Sequence, residues 1–166
     1  MVSVFGSIST DTVTIRATLA EVWNVYADIE HWPEWTASVT TAHLDPRGPL
    51  ALGSRASIKQ PRFPEATWTV THIEPERSWQ WATHSIGAHT SAQHRLTQLE
   101  NGRTRVDLSI DQRGVLGRPI GWLVRRTTRR YLRMEAEGLR DRSESTARRV
   151  DEARRPLPSR KTGSAA

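Results

Sequence analysis

Two helical segments that lie far apart in the chain constrain its fold most. The first follows a strand marked by Val13 and Ile15, and its helical spacing predicts burial of Leu19, Val22, Trp23 and Tyr26. The second is an amphipathic segment over Pro119–Glu144, and only strand-like segments lie between the two. A long antiparallel sheet must bury such a late helix against its inner face. The pattern therefore predicts a half-open grip around an interior space, and we expect the function to depend on what that space holds.

Turn residues divide the rest of the chain into short elements. The first strand covers Val4–Arg16, either continuous or interrupted near Ser9–Asp11, and Thr18 with Glu21 predicts a capping box for a helix ending near Ala27. One helical turn over His31–Trp35 follows, with Pro33 near its start. Six more strands are predicted: Thr36–Leu44, Arg55–Gln60, Glu65–Ile73, Ser78–Ile86, His89–Leu99 and Arg103–Arg113. Asn101 and Gly102 favour a type I′ turn between the last two.

The last helix has one apolar face and one basic face. A helical wheel places on the apolar face Ile120, Leu123, Val124, Thr127, Tyr131, Met134, Gly138 and Leu139. The opposite face carries Trp122 and the arginines Arg125, Arg126, Arg129, Arg133 and Arg140. Three interpretations of the basic face are a solvated surface, an anionic membrane surface with Trp122 as anchor, and nucleic acid. Nucleic acid is the least favoured of the three, because no aromatic and basic residues interleave on the sheet. We therefore expect no nucleic-acid partner.

The positive charge of the chain is concentrated near its C-terminus. Residues 1–117 carry ten basic and twelve acidic residues, although the whole chain has a net charge of +6 and a pI of about 10.9. We predict one domain over residues 1–146 and a basic, disordered tail over residues 147–166, with disorder assigned most firmly to Arg155–Ala166. The chain has no cysteine, which excludes disulfides and thiolate metal sites. The segment MVSVFGSIST lacks the pattern of a signal peptide, and we expect a cytoplasmic location.

Taken together, these residues resemble the START-like, or helix-grip, proteins, and within them the bacterial polyketide cyclase/dehydrase branch. The resemblance spans roughly residues 10–145. It is carried by Ile15-Arg16-Ala17, Val22-Trp23, Asp28, Pro33-Glu34-Trp35, Gly53, Val70, Ile73-Glu74-Pro75, Trp81, Gly102 to Val106, Tyr131-Leu132, Gly138-Leu139 and Glu144. It implies an α+β fold, in which a curved antiparallel sheet of about seven strands wraps around a long C-terminal helix, with two short helices after the first strand. Such proteins include aromatic polyketide cyclases, lipid and quinone carriers and hormone receptors, so the fold leaves the function open.

Strand alternation predicts which side chains face the interior. In our register the inner face carries Trp68, Val70, Trp79, Trp81, Thr83, Ala92, His94, Leu96, Val106, Leu108 and Ile110, and Trp35 stands at the mouth. With Thr127 and Tyr131 of the last helix, we predict a ligand-binding set of Trp35, Trp68, Val70, Trp79, Trp81, Thr83, His94, Leu96, Leu108, Thr127 and Tyr131. Several tryptophans on one face favour a flat, apolar or aromatic ligand. The alternative is that these rings simply fill the core.

Three side chains are candidates for proton transfer. His94 can act as an acid or base because the pKa of a free imidazole lies near working pH, or it can simply bond a neighbouring strand. Glu135 beside a dry cavity would have a raised pKa, although it can instead reach the rim and pair with arginine. Tyr131 can bond a ligand carbonyl. The remaining histidines lack the spacing of zinc ligands, and we expect no metal and no cofactor.

These observations lead to three hypotheses for the function. The first is a small-molecule binding module that holds a hydrophobic, aromatic or polycyclic ligand between the sheet and the last helix. The second is an aromatase/cyclase-type enzyme that folds a poly-β-ketone, with His94, Tyr131 or Glu135 moving a proton. The third is an interaction protein that meets a membrane or an acidic partner through its arginines. The sequence leaves monomer and homodimer open, although an exposed Trp122 suggests a contact surface.

Overall fold

Seven antiparallel strands form one sheet in the order β1-β7-β6-β5-β4-β3-β2. The computed structural model describes residues 5–85, 87–114 and 118–155. The strands are β1 Phe5–Ile15, β2 Thr41–Asp45, β3 Arg55–Lys59, β4 Ala66–Glu74, β5 Ser78–Ser85, β6 Ala88–Gln98 and β7 Thr104–Gly114. Helix α1 (Leu19–Tyr26) and a 3₁₀ helix (Ile29–Glu34) separate β1 from β2, and helix α2 (Arg118–Arg154) follows β7. The predicted α+β helix-grip architecture is confirmed.

Helix α1 begins at the predicted capping box. The Thr18 side chain accepts a hydrogen bond from the backbone N–H of Glu21, and the Glu21 carboxylate accepts one from the N–H of Thr18. Such a cap stabilises a helix by about 1 kcal/mol. Val22 and Tyr26, one turn apart, are both buried in the core. The cap therefore fixes the start of the helix that brings Tyr26 under α2.

Helix α2 packs against β1 and α1. From Leu132 onward its buried side chains recur at helical spacing: Leu132, Ala136, Leu139, Ser143 and Ala147. Two polar contacts reinforce this packing, since Glu144 accepts from the backbone N–H of Arg16 at 2.9 Å and Arg142 donates to Glu34 at 2.9 Å. Among the described residues, no helix combines the length and the apolarity needed to cross a bilayer.

Helix α2 is longer than predicted. It continues from Arg118 to Arg154, ten residues beyond the predicted end at Glu144. The assignment of a disordered tail to residues 147–154 is therefore wrong, because this stretch lacks proline and glycine and Ala147 remains buried. Residues 156–166 lie outside the described residues.

The predicted boundaries of β1 and β2 also need correction. Strand β1 pairs with β7 without interruption from Phe5 to Ile15, so the break considered at Ser9–Asp11 is absent there. Strand β2 begins at Thr41 rather than Thr36. Residues 36–40 instead form a turn, in which the N–H of Val39 bonds the carbonyl of Thr36.

The hairpin between β6 and β7 has a different turn from the one predicted. Leu99 bonds the carbonyl of Arg103, which leaves a loop of Glu100, Asn101 and Gly102. Of these three loop residues, only Gly102 has a positive φ, of 73°. A type I′ turn requires a positive φ at both of its central residues. Asn-Gly therefore marked the right place for the reversal but the wrong loop length.

Candidate functional site

The inner face of the sheet has the predicted register. Trp79 of β5 pairs with His94 of β6, which pairs with Leu108 of β7. One step toward the end of β7, Trp81, Ala92 and Ile110 pair in the same way. Directly paired residues of antiparallel strands share a face of the sheet. The predicted interior side chains therefore do lie on one surface, and α2 crosses it.

Aromatic rings fill one end of this surface. The ring of Trp79 stacks on His94 with centroids 4.2 Å apart, and Tyr26 meets the same indole edge-on at 4.4 Å. Trp32 stacks on Tyr26 at 5.4 Å. All four rings are buried. We call this cluster of Tyr26, Trp32, Trp79 and His94, together with Glu135, the closed end. For Trp79 and Trp32 the core-packing interpretation accounts for the observed contacts.

Glu135 of α2 is the polar centre of the closed end. The Tyr26 hydroxyl donates a short hydrogen bond to Glu135 Oε1, and Nε2 of His94 lies 3.6 Å from the same oxygen. Burial raises the pKa of the Glu135 carboxyl to about 7, although the Tyr26 hydrogen bond lowers it. Burial and the neighbouring Glu135 both raise the pKa of Tyr26 well above its usual value. The carboxyl can therefore gain or lose a proton near neutral pH.

The pKa of His94 lies far below the value that its proposed acid–base role assumed. Burial lowers the pKa of its imidazole to about 3, so the ring is neutral at ordinary pH. Our argument that its pKa lies near working pH is therefore wrong. Its Nδ1 has no hydrogen-bond partner within the described part of the chain. The involvement of His94 in ligand binding or catalysis stays a prediction.

The other end of the inner face is less covered. Thr83, Thr90 and Gln112 pair across β5, β6 and β7 in the next inward row, and all three are only half-buried. Trp68 on β4 is half-buried too, with its ring 5.3 Å from that of Trp81. We call these four residues the open end. The Thr128 hydroxyl of α2 lies 3.3 Å from the Gln112 side chain, which places this part of the helix above the row.

A cleft of about 500 Å³ lies between the N-terminal half of α2 and two loops. The helix contributes Leu123, Arg126, Thr127, Arg130, Tyr131 and Met134, and the loops contribute Ala37, Pro61 and Arg62. The Tyr131 hydroxyl accepts a hydrogen bond from the N–H of Arg62 at 3.2 Å, which ties one loop to the helix. Tyr131 lies one helical turn before Glu135, which is buried and does not itself line the cleft.

The predicted site residues separate into three groups. Val70, Trp79, Leu96 and Leu108 are buried in the core, together with Trp81, which packs between Trp32 and Trp68. Thr83 and Trp68 lie at the open end. Thr127 and Tyr131 line the cleft.

Two predicted positions are wrong. Trp35 packs 6.3 Å from Tyr26 and 5.4 Å from Trp32, so its ring belongs beside the closed end rather than at the mouth. Leu123 was assigned to the buried face of α2 but is 55% exposed. A helical wheel gives the direction of a side chain and contains no information on whether another element covers it.

The sequence argument missed Tyr26 as a member of the polar centre and Arg62, Arg126 and Arg130 as cleft residues. Tyr26 was counted with the core because it follows the apolar spacing of α1. Its hydroxyl was the available signal, since a buried tyrosine O–H usually finds a hydrogen-bond partner. The arginines of the cleft come from a loop and a helix that are distant in the sequence, so no local pattern joins them.

Comparisons with known proteins agree with this fold. The family described as polyketide cyclase / dehydrase and lipid transport matches residues 8–144. A search of curated proteins gave no match. The fold is similar to that of norcoclaurine synthase from Thalictrum flavum in complex with dopamine and hydroxybenzaldehyde, with a TM-score of 0.66 and 13% identity over 93% of this chain and 92% of that chain.

Two bacterial structures are also similar. A START superfamily protein from Mycobacterium smegmatis has a TM-score of 0.67 and 16% identity, over 84% of this chain and 98% of that chain. The Zhui aromatase/cyclase from Streptomyces sp. R1128 has a TM-score of 0.64 and 18% identity, over 92% of this chain and all of that chain. At these identities the likeness shows the fold alone. Because the family match covers most of the sequence, the chain belongs to the polyketide cyclase / dehydrase and lipid transport family.

Proposed function

We propose that this protein binds a small hydrophobic ligand, aromatic or polycyclic, between the open end of the sheet and the N-terminal half of α2. The observation that carries the proposal is the partial exposure of Thr83, Thr90 and Gln112. They face inward on central strands, where a filled core would bury them, as it buries Trp79, His94 and Leu108 two rows away. Ligand sites combine apolar walls with a few placed polar groups. Trp68 beside two threonines and an amide fits that description.

The family and the structural neighbours add support of a general kind. The family description names polyketide chemistry and lipid transport, both of which involve hydrophobic small molecules. The structure of norcoclaurine synthase holds two small aromatic compounds. The adjoining cleft, at about 500 Å³, has the size of sites that take drug-sized ligands.

A binding titration with N-phenyl-1-naphthylamine, an uncharged flat probe, tests this proposal. We expect saturable quenching of tryptophan fluorescence, and a rise in Tm of about 3–6 °C when the probe reaches ten times its Kd. Thr90→Trp should fill the open end and weaken binding about tenfold or more.

Thr97→Trp is the matched control for this experiment. It places the same bulk on the same strand, but on the opposite face of the sheet. Its Kd for the probe should stay within about twofold of the wild-type value. Equal loss of binding in both variants, or no binding to the wild type, would contradict the proposal.

A second candidate function is proton transfer in an aromatase/cyclase-type reaction on a poly-β-ketone. The observation that favours it is Glu135, a buried carboxyl whose pKa of about 7 suits a general base. It lies one turn beyond Tyr131 of the cleft, so a carbonyl held by Tyr131 would present its α-carbon toward Glu135. Glu135 would accept the α-proton while the cavity holds the chain in the geometry for ring closure.

Turnover of a diketide or triketide thioester surrogate tests the enzymatic candidate. Glu135→Gln should abolish turnover while far-UV circular dichroism and Tm show an intact fold. Tyr26→Phe removes the hydrogen bond that lowers the pKa of Glu135, so the acidic limb of the pH–rate profile should move to higher pH. Unchanged turnover in Glu135→Gln would exclude Glu135 as the base.

A further inference from the structure

The N-terminal half of α2 carries positive charge without matching acids. Residues 118–134 contain six arginines and neither aspartate nor glutamate. Arg126 and Arg130 are helical neighbours at i, i+4, and so are Arg125 and Arg129. Like charges at this spacing destabilise a helix. The charge distribution of this segment therefore favours an anionic partner over a freely solvated helix.

The C-terminal half of the same helix shows the opposite arrangement. Arg142 donates to Glu34 at 2.9 Å, and Arg140 lies 3.1 Å from Asp141. By contrast, within residues 5–85, 87–114 and 118–155, no carboxylate lies within 4.0 Å of the guanidinium groups of Arg62, Arg126 or Arg130. These three arginines thus differ from the ion-paired arginines farther along the helix.

The same three arginines line one cleft. Arg62 comes from the loop after β3, and Arg126 and Arg130 from successive turns of α2. The remaining walls are mainly apolar: Ala37, Pro61, Leu123, Tyr131 and Met134. The guanidinium fork matches the oxygens of carboxylate, sulfonate and phosphate groups, and binds them through paired hydrogen bonds. Guanidinium groups beside an apolar wall complement an amphiphile, which has an anionic group and an apolar body.

We propose that the ligand is an amphiphile with one anionic group, a carboxylate, sulfonate or phosphate, that Arg62, Arg126 and Arg130 hold at the cleft. Its apolar body passes Tyr131 and lies against Trp68 and the threonines of the open end. This inference rests on the proposed binding function and adds the charge class of the ligand. It also assigns to the cleft arginines a role in specificity.

A pair of probes with the same aromatic body tests the anionic group. 1-Anilinonaphthalene-8-sulfonate carries a sulfonate, and N-phenyl-1-naphthylamine lacks it. In fluorescence titrations, Arg126→Gln combined with Arg130→Gln should weaken binding of the sulfonate about tenfold, because charge-assisted hydrogen bonds to the anion are lost. The Kd for the uncharged probe should change less than about twofold.

The matched control combines Arg125→Gln with Arg129→Gln. It removes the same charge at the same i, i+4 spacing from side chains that do not line the cleft. Arg125 and Arg129 line a groove beside Trp122 that Arg126 and Arg130 also border. The sulfonate should bind this control within about twofold of the wild type. Circular dichroism and Tm should show that both double variants are folded.

The outcomes separate the inference from the proposed function. Equal weakening in both double variants would overturn the inference, because it would mean that the whole basic face attracts anions, as it would a membrane surface. Unchanged sulfonate affinity in the Arg126 and Arg130 variant would overturn it too, while binding of the uncharged probe would leave the proposed function standing. Failure of the wild type to bind either probe would remove both.

Discussion

The two halves of α2 make opposite kinds of contact. The C-terminal half buries Ala136, Leu139 and Ala147, and its charged groups reach partners such as Glu34. The N-terminal half leaves Trp122 56% exposed and Leu123 55% exposed, and lies over a half-buried row of the sheet. One helix therefore serves as a core element along one half and lies beside the proposed binding region along the other.

This difference shows how a helix-grip domain can be stable and still hold a ligand. The closed end supplies stability through dense aromatic packing, in which each buried ring adds free energy of unfolding. The open end buries less apolar surface and so contributes less to the free energy of unfolding. A ligand bound there would add to that free energy.

Trp79→Ala and Trp68→Ala should differ most in stability. Removal of the buried Trp79 ring should lower the free energy of unfolding by about 3–5 kcal/mol, since it leaves a cavity in the core. Removal of the half-buried Trp68 ring should lower it by about 1–2 kcal/mol, since less apolar surface is withdrawn from water. Urea unfolding followed by circular dichroism measures both values. Equal losses would contradict the distinction between a closed and an open end.

The pH dependence of stability should depend on Glu135. Folding raises the pKa of Glu135 from 4.5 to about 7, so its stabilising contribution is complete below pH 4.5 and is lost as pH rises toward 7. His94 acts in the opposite sense, because its pKa falls from 6.5 to about 3 and its contribution is lost as pH falls below 6.5. The two effects oppose each other between pH 4.5 and 6.5 in the wild type.

Glu135→Gln separates the two contributions. The free energy of unfolding of the variant should rise with pH over that window, whereas that of the wild type stays nearly level. The difference between wild type and variant should fall by on the order of 3 kcal/mol between pH 4.5 and 7. Glu137→Gln, at an exposed position of the same helix, is the control. Parallel stability curves for wild type and Glu135→Gln would show that Glu135 has an ordinary pKa.

Gly138→Ala should destabilise the closed end despite the higher helix propensity of alanine. A Cβ atom at this position would lie 2.1 Å from the carbonyl oxygen of Trp35, so the helix would have to move away from the loop. We expect a loss of about 2 kcal/mol in the free energy of unfolding, measured by urea denaturation. Arg133→Ala, on the exposed face, should be nearly neutral. A stabilised Gly138→Ala variant would mean that α2 and Trp35 are less closely packed.

Leu123→Ala should have the smallest effect. Its side chain is largely exposed, so the free energy of unfolding should change by less than about 0.5 kcal/mol. The same substitution at Leu139, which is 0% exposed, should lower that free energy by about 2–5 kcal/mol. Thermal and urea unfolding of the two variants compare the halves of α2 directly. A large loss at Leu123 would show that the N-terminal half packs as tightly as the C-terminal half.

Local patterns predicted the fold well because they report local geometry. Alternation placed Trp79, Trp81 and His94 on one face, and helical spacing placed Leu139 inside. Such patterns could not predict the hydrogen bond between Tyr26 and Glu135. The two residues are 109 positions apart and come into contact only when α1 and α2 pack together. The cleft around Arg62 was likewise hidden, because its walls come from a loop and a helix that folding brings together.

Threonine-methyl NMR during titration with N-phenyl-1-naphthylamine tests the central claim most directly. Thr83 and Thr90 face inward at the open end, whereas Thr10, Thr12 and Thr14 of β1 are exposed on the outer face and serve as internal controls. The account predicts saturable shifts at Thr83 and Thr90 with little change at the three controls. Shifts confined to the outer threonines, or no shift at either inner methyl up to the solubility limit of the probe, would contradict it.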